Sequence, residues 1–270
     1  MSENIQKAAN YILSSVKTKP EVGIILGSGL GGLVNEISIE HSLAYSDIPD
    51  FPVSTVAGHQ GKLIFGKLGG KNVVVMAGRF HYYEGYTMQE VVFPVRVMKF
   101  LGIKNLFISN AAGGVNPDYK IGDLMFIRDH INLMPSNPLI GKNDESLGAR
   151  FPDMSEPYNK KMIELAEKIA GEKNIRAHTG VYTAVPGPTF ETHSQYKYIR
   201  TIGGDAVGMS TVPEAIVAAH MNLSCCAVSV ITDLGGMDEP APVNHLDVLK
   251  AAGEAESKLT LIFKELIASL

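Results

Sequence analysis

Two hydrophobic patterns alternate along the chain from end to end. Short continuous apolar runs, of the kind buried on both faces of a sheet, predict strands at 22–26, 63–68, 72–77, 105–109, 123–127, 178–184 and 224–231. Between them apolar positions recur at helical spacing, which predicts helices at 5–16, 88–101, 158–170, 193–202, 212–221 and 245–268. Such alternation gives an α/β fold, a sheet covered by helices, with ligands held by loops at strand ends. No linker, repeat or charge block interrupts it, so residues 1–270 read as a single domain.

Composition narrows the function classes. With 45% hydrophobic residues the chain can bury a full core, and a net charge of -4 with scattered Lys and Arg leaves no footprint for nucleic acid. No apolar segment approaches the roughly 20 residues needed to span a bilayer, and the N-terminal "MSENIQKAAN" is too polar for a signal peptide, so no membrane partner and a cytoplasmic location are expected. The cysteines, Cys225 and Cys226, sit side by side in an apolar run and read as core residues, with neither metal spacing nor a disulfide framework.

Candidate chemistry lies in the loops. Residues 25–33, "ILGSGLGGL", match a dinucleotide-binding fingerprint, but the context fails. Only a few helix-compatible residues follow Gly32, Glu40 comes too early, and Asp50 lies in a Pro-flanked loop. The glycines read better as an anion cradle with Ser28 among them, or as a ligand-free turn. In "AGRFHYYEGY", residues 77–86, an extended chain puts Arg79, His81 and Tyr83 on one face, suited to phosphate; a surface Arg paired to Glu84 or Glu90 is the plainer alternative. "SNAAGGVNP", residues 109–117, brings small residues that let a ligand approach the N–H of Ala111 or Ala112, or simply make a tight turn.

Three further stretches add different groups. In "GDAVGMSTVPEA", residues 204–215, Thr211 and Glu214 have capping-box spacing with Pro213 in the first turn, which places Ser210 at the positive end of a helix. "VPGPTFETHSQ", residues 185–195, delivers Phe190 and Glu191, an aromatic face beside a carboxylate that suits a sugar or a base with N–H donors; Glu191 also fits a first-turn acid. Asp233 in "SVITDLGG" falls just past the last apolar strand, either to bind a ligand or to start a turn.

Taken in order, "GSGLGG", "GHQGKLIFG", "GRFHYYEGY", "NAAGGVNP", "GDLMFIRDHINL", "RFPDMSEPY", "GPTFET" and "VGMSTVPE" resemble the trimeric purine nucleoside phosphorylases, from about residue 20 to the end. The resemblance implies reversible phosphorolysis of a purine nucleoside to a free purine and ribose or deoxyribose 1-phosphate. It also implies a single α/β domain around a central mixed, barrel-like sheet surrounded by helices, assembled as a homotrimer. Ser28, His59, Arg79, His81, the N–H of Ala111 and Ser210 would hold phosphate. Tyr83, Phe190, Met209 and His245 would position the ribose, joined by Phe151 of a neighbouring subunit. Glu191 and Asp233, with Val207 and Gly208 alongside, would hold the base; His81, Glu191 and Asp233 carry the chemistry. Phosphate is itself the nucleophile, so neither a metal nor a cofactor is expected.

Asp233 departs from the family pattern, which usually has asparagine there in enzymes preferring 6-oxopurines. An ionised aspartate only accepts hydrogen bonds and so suits the 6-amino group of adenine; a protonated one can donate to N7. An ionised Glu191 accepts N1–H of hypoxanthine or guanine. Together they predict 6-oxopurine nucleosides as favoured substrates, with adenosine also turned over. Alternatives are a methylthioadenosine phosphorylase, which the donor of His245 disfavours, and a non-catalytic nucleotide- or NAD-binding module, which leaves Arg79, His81 and Ser210 unexplained.

Overall fold

The computed structural model describes residues 2–53, 55, 60–235 and 242–270. Its strands are β1 (Val22–Ile25), β2 (Ser38–Ala44), β3 (Lys62–Leu68), β4 (Lys71–Ala77), β5 (Asn105–Gly114), β6 (Leu124–Asn132), β7 (Ala177–Ala184), β8 (Ala206–Gly208) and β9 (Ser224–Leu234). They form one mixed sheet in the order β2-β3-β4-β1-β5-β8-β7-β6-β9, and an additional β5–β9 pairing closes the last five into a barrel. Outside the barrel, β2, β3 and β4 run antiparallel, while β1 joins β4 to β5 in parallel register. Because β4, β1, β5 and β9 all run parallel, their C-terminal ends open on the same edge.

Around the sheet lie α1 (Ser2–Ser15), α2 (Met88–Leu101), α3 (Lys160–Glu172), α4 (His193–Thr201), α5 (Val212–His220) and α6 (His245–Ala268). Local sequence sets several of their ends. Thr87 and Glu90 form a capping box at α2, which stops at Gly102 with φ 111, and Thr192 and Gln195 form another at α4. At the start of α6 the side chain of Asn244 accepts from the N–H of Asp247. The core runs through the barrel into α6, where the rings of Phe107 and Phe263 meet edge to face at 5.3 Å. Cys225 and Cys226 are buried in it as free thiols. Among the described residues no helix is long and apolar enough to cross a membrane.

The structure changes several expected boundaries. β2 escapes the apolar pattern because it is an edge strand with mostly exposed side chains, and β8 because it is three residues long. β5 continues through Ala111, Ala112, Gly113 and Gly114, so that stretch is strand and not a turn. Small residues are needed there: a Cβ on Gly113 would sit 2.9 Å from Asp233 Oδ2, and one on Gly114 2.9 Å from Ile231. β9 likewise reaches Leu234, which puts Asp233 within the ladder opposite Gly113.

The glycine-rich segment is also reassigned. It leads into a short 3-10 helix, Gly31–Glu36, and then into β2, so no crossover helix of a dinucleotide fold follows. The N–H of Gly27 donates to Ser109 Oγ at 3.1 Å and that of Gly32 to the Glu256 carboxylate, so neither is offered to an anion. Gly27 is required for packing, since its Cβ would lie 2.8 Å from the β5 backbone, and Gly29 adopts φ 73 against α6.

Candidate active site

The strand ends enclose a cavity of about 400 Å³. Its lining contains Ser28, Arg79, His81, Tyr83, Ala111, Phe190, Glu191, Val207, Gly208, Met209, Ser210, Asp233 and His245. These positions, scattered over more than two hundred residues of sequence, are the expected site residues except two. Phe151 is 87% exposed, lies outside the cavity wall and has the Arg150 guanidinium 5.7 Å from its ring centroid. His59 lies outside the described residues.

One end of the cavity is organised around Arg79, which is 1% exposed. Its Nη1 donates to the carbonyl of Ser109 at 2.9 Å and to Ser210 Oγ at 3.0 Å, while Nε and Nη2 reach Glu214 Oε1 at 3.2 and 3.1 Å. Glu214 comes from the first turn of α5 and is equally buried. This overturns the capping reading of the Thr211/Glu214 spacing. Thr211 sits at φ 69 with no side-chain cap; its Oγ1 accepts from Asn110 Nδ2 at 2.8 Å, and Glu214 has turned to neutralise a buried guanidinium. The charge could not be left unpaired in so dry a setting. Ser210 is fixed from the other side, its N–H donating to the Tyr182 phenol at 3.3 Å, whose pKa burial pushes up to about 12.

His81 follows in extended backbone, but the expected alternation stops there, because Tyr82–Glu84 turns into a 3-10 helix. Tyr83 reaches the cavity by stacking on the imidazole, with ring centroids 4.7 Å apart and planes 15° off parallel. Glu84 Oε1 holds His81 twice, through Nδ1 at 2.9 Å and the backbone N–H at 2.8 Å, and is the imidazole's partner rather than Arg79's. Burial lowers the pKa of His81, against the opposing pull of Glu84. Burial acts to raise Glu84, yet hydrogen bonds from His81 and Thr55 outweigh it and bring the carboxyl down to about 2.

The other end is acidic. Glu191 stands in the loop before α4, ahead of the N-cap Thr192, so it is not a first-turn acid. Asp233 stands near the end of β9, where its Oδ1 accepts from Thr232 Oγ1 at 2.9 Å and its Oδ2 from the Tyr196 hydroxyl at 3.4 Å. Desolvation raises both carboxyls above their ordinary values, and the charge of Asp233 raises Glu191 further. Tyr83, Phe190, Met209 and His245 also line the cavity, the last at the first residue of α6.

Several wall positions were not named individually from the sequence, Ala112 apart. Gly27, Asn110, Ala112, Gly113, Pro188, Thr232 and Val248 also line the cavity. All but Val248 belong to stretches already singled out. Val248, one turn into α6 after His245, carries no such mark.

Comparison with known proteins agrees with this architecture. The model of the phosphorylase superfamily matches residues 21–268. The chain is 49% identical to purine nucleoside phosphorylase 1 of Bacillus subtilis, over 99% of both chains. It superimposes on isoform 2 of the purine nucleoside phosphorylase of Schistosoma mansoni, solved with cytosine and ribose-1-phosphate, with a TM-score of 0.95 at 43% identity, covering 99% of this chain and 96% of that one. A further Schistosoma mansoni purine nucleoside phosphorylase, solved with adenosine and with inosine, gives a TM-score of 0.94 at 40% identity, covering 99% of this chain and 97% and 96% of those. A closed five-stranded mixed barrel, a cavity at its strand ends, and likeness of this extent place the chain in the phosphorylase superfamily and, within it, among the purine nucleoside phosphorylases.

Proposed function

We propose that the chain cleaves purine ribonucleosides and deoxyribonucleosides reversibly with inorganic phosphate, preferring 6-oxopurines while also accepting adenosine. The observation that carries this reading is the presence in one cavity of a donor-rich group, Arg79, His81, Ser28 and Ser210, and a carboxylate group, Glu191 and Asp233. A nucleoside with phosphate beneath it presents the complementary sequence of groups: anion, sugar, base.

In this reading Arg79, Ser28, His81, Ser210 and the N–H of Ala111 hold phosphate below C1′. His59, by family likeness, completes that set. Tyr83, Phe190 and Met209 pack the ribose, and His245 meets its 5′-hydroxyl. A phosphate oxygen forms its bond to C1′ as the bond from C1′ to N9 breaks, and that electron pair enters the purine ring. Asp233 in its protonated form supplies a proton to N7 of the departing base, while ionised Glu191 accepts N1–H of a 6-oxopurine; Val207 and Gly208 flank the base. Burial, which raises both carboxyls, favours such a protonated member of the pair.

The exposed Phe151 fits a homotrimer in which each copy lends this ring to its neighbour's ribose. The test of the reaction is stoichiometry: one phosphate consumed and one sugar 1-phosphate formed for each purine released. Sugar released without its phosphate ester would contradict the reading.

A further inference from the structure

One buried hydroxyl stands behind both carboxylates of the base end. Tyr196 lies in the first turn of α4, its ring packed with Val115, Ile199 and Val207 and pressed so closely on Gly235 that a Cβ there would overlap it. From that fixed ring the hydroxyl donates to Asp233 Oδ2 at 3.4 Å, and the Glu191 carboxyl lies near enough to act electrostatically on the same hydroxyl. Burial, and after it the two neighbouring carboxylates, push the phenol's pKa far above its ordinary value, so it stays protonated. A phenol has one proton to give, and two acceptors compete for it.

The direction of that hydroxyl matters for the base, on the reading that Glu191 and Asp233 hold it. With the proton given to Asp233, that residue is kept as an acceptor, suited to the 6-amino group of adenine. Glu191 can then carry the pair's shared proton and present it to the lone pair at N1. With the hydroxyl turned to Glu191, Glu191 becomes the acceptor for N1–H of a 6-oxopurine, and Asp233 carries the proton toward O6 or N7. The proton count of the pair is the same in both arrangements; only its address changes. We propose that Tyr196 is a specificity-positioning residue, whose hydroxyl, donated to Asp233, supports the acceptor state of that carboxylate and with it the turnover of 6-aminopurine nucleosides.

Tyr196→Phe keeps the ring and deletes only the hydroxyl. The ratio of kcat/KM for inosine to that for adenosine should rise roughly tenfold, the weight of one hydrogen bond to a charged acceptor. In an Asp233→Asn background, where residue 233 is an amide with no charge to support, the same change should leave the ratio as it was. Dissociation constants for adenine and hypoxanthine, measured by calorimetry, give a readout independent of turnover, and adenine alone should weaken. Equal losses for both nucleosides, a ratio moving toward adenosine, or a shift that persists in the Asn background would overturn the proposal. Wild-type protein with no phosphate-dependent release from either nucleoside would instead sink the reading on which it rests.

Discussion

The two ends of the cavity are built on opposite electrostatic terms. At the end proposed for phosphate each polar group has been matched before any ligand arrives: the Arg79 guanidinium with Glu214, the His81 imidazole with Glu84. At the end proposed for the base, Asp233 accepts from the Tyr196 hydroxyl with Glu191 nearby, and both carboxyls are raised by desolvation. The first arrangement makes a rigid receptor for an anion of fixed shape. The second leaves the position of a proton undecided, which is useful where the ligand's own donors and acceptors differ between substrates. Preorganisation and discrimination thus sit in one pocket.

The largest expected effect comes from breaking the matched end. Arg79→Ala should lower kcat/KM by about a thousandfold, as loss of a preorganised donor does. It should also destabilise the fold by about 3–5 kcal/mol, because Glu214 is left buried and unpaired. Restored stability with activity still absent in Arg79→Ala/Glu214→Gln, read by thermal melts beside phosphorolysis rates, would separate the two roles. A single Arg79→Ala variant with normal phosphate affinity would break the comparison outright.

Next in size is the acidic end. Glu191→Gln should lower kcat/KM for inosine about a hundredfold while sparing adenosine, since an amide can donate to N1 of adenine but a poorer acceptor remains for N1–H. Asp233→Asn should cost adenosine roughly tenfold more than inosine, from loss of an acceptor for the 6-amino group. Steady-state kinetics on both nucleosides checks each claim, and an equal or greater loss of inosine turnover in Asp233→Asn would contradict the second.

Stability supplies a smaller and independent effect. Asp233 has its folded-state pKa raised above the ordinary 3.8, so the ionised form is a burden on the native state that grows as pH rises above that value. Asp233→Asn should therefore raise Tm at neutral pH by roughly 2–4 °C, and the gain should shrink as pH falls and vanish well below the ordinary value of 3.8, where both folded and unfolded wild-type chains hold the proton. Glu84 has the opposite sign. Its carboxyl, held at about 2 against an ordinary 4.5, contributes stability that is present above 4.5 and lost as pH falls toward 2. Smallest is a proton balance: burial lowers His81, and a phosphate anion beside it restores its affinity, so phosphate binding should take up a fraction of a proton. Calorimetry in buffers of different ionisation heat would read that uptake, and its absence in wild type would remove His81 from the anion site.

The same contrast explains what could be read in the sequence. Continuous apolar runs disclosed the inner strands, and the motif-bearing loops disclosed nearly all the cavity wall. What stayed hidden depended on long-range partners. Thr211 and Glu214 have the spacing of a cap, and only Arg79, 135 residues away from Glu214, makes Glu214 an ion-pair partner instead. Ala111 to Gly114 look like a turn until Asp233 is laid beside Gly113. Tyr196, packed among apolar neighbours, reads as a core aromatic, and its hydroxyl gains meaning only from Asp233, 37 residues away in β9. β2 lacks an apolar run because an edge strand with exposed side chains does not need one.

The most direct measurement of the central claim is purine release from inosine and adenosine in parallel, each with and without inorganic phosphate. The account predicts release that depends strictly on phosphate, with inosine ahead and adenosine clearly turned over. Release without phosphate would contradict the anion site built around Arg79, and no turnover of adenosine would contradict the role given to Asp233.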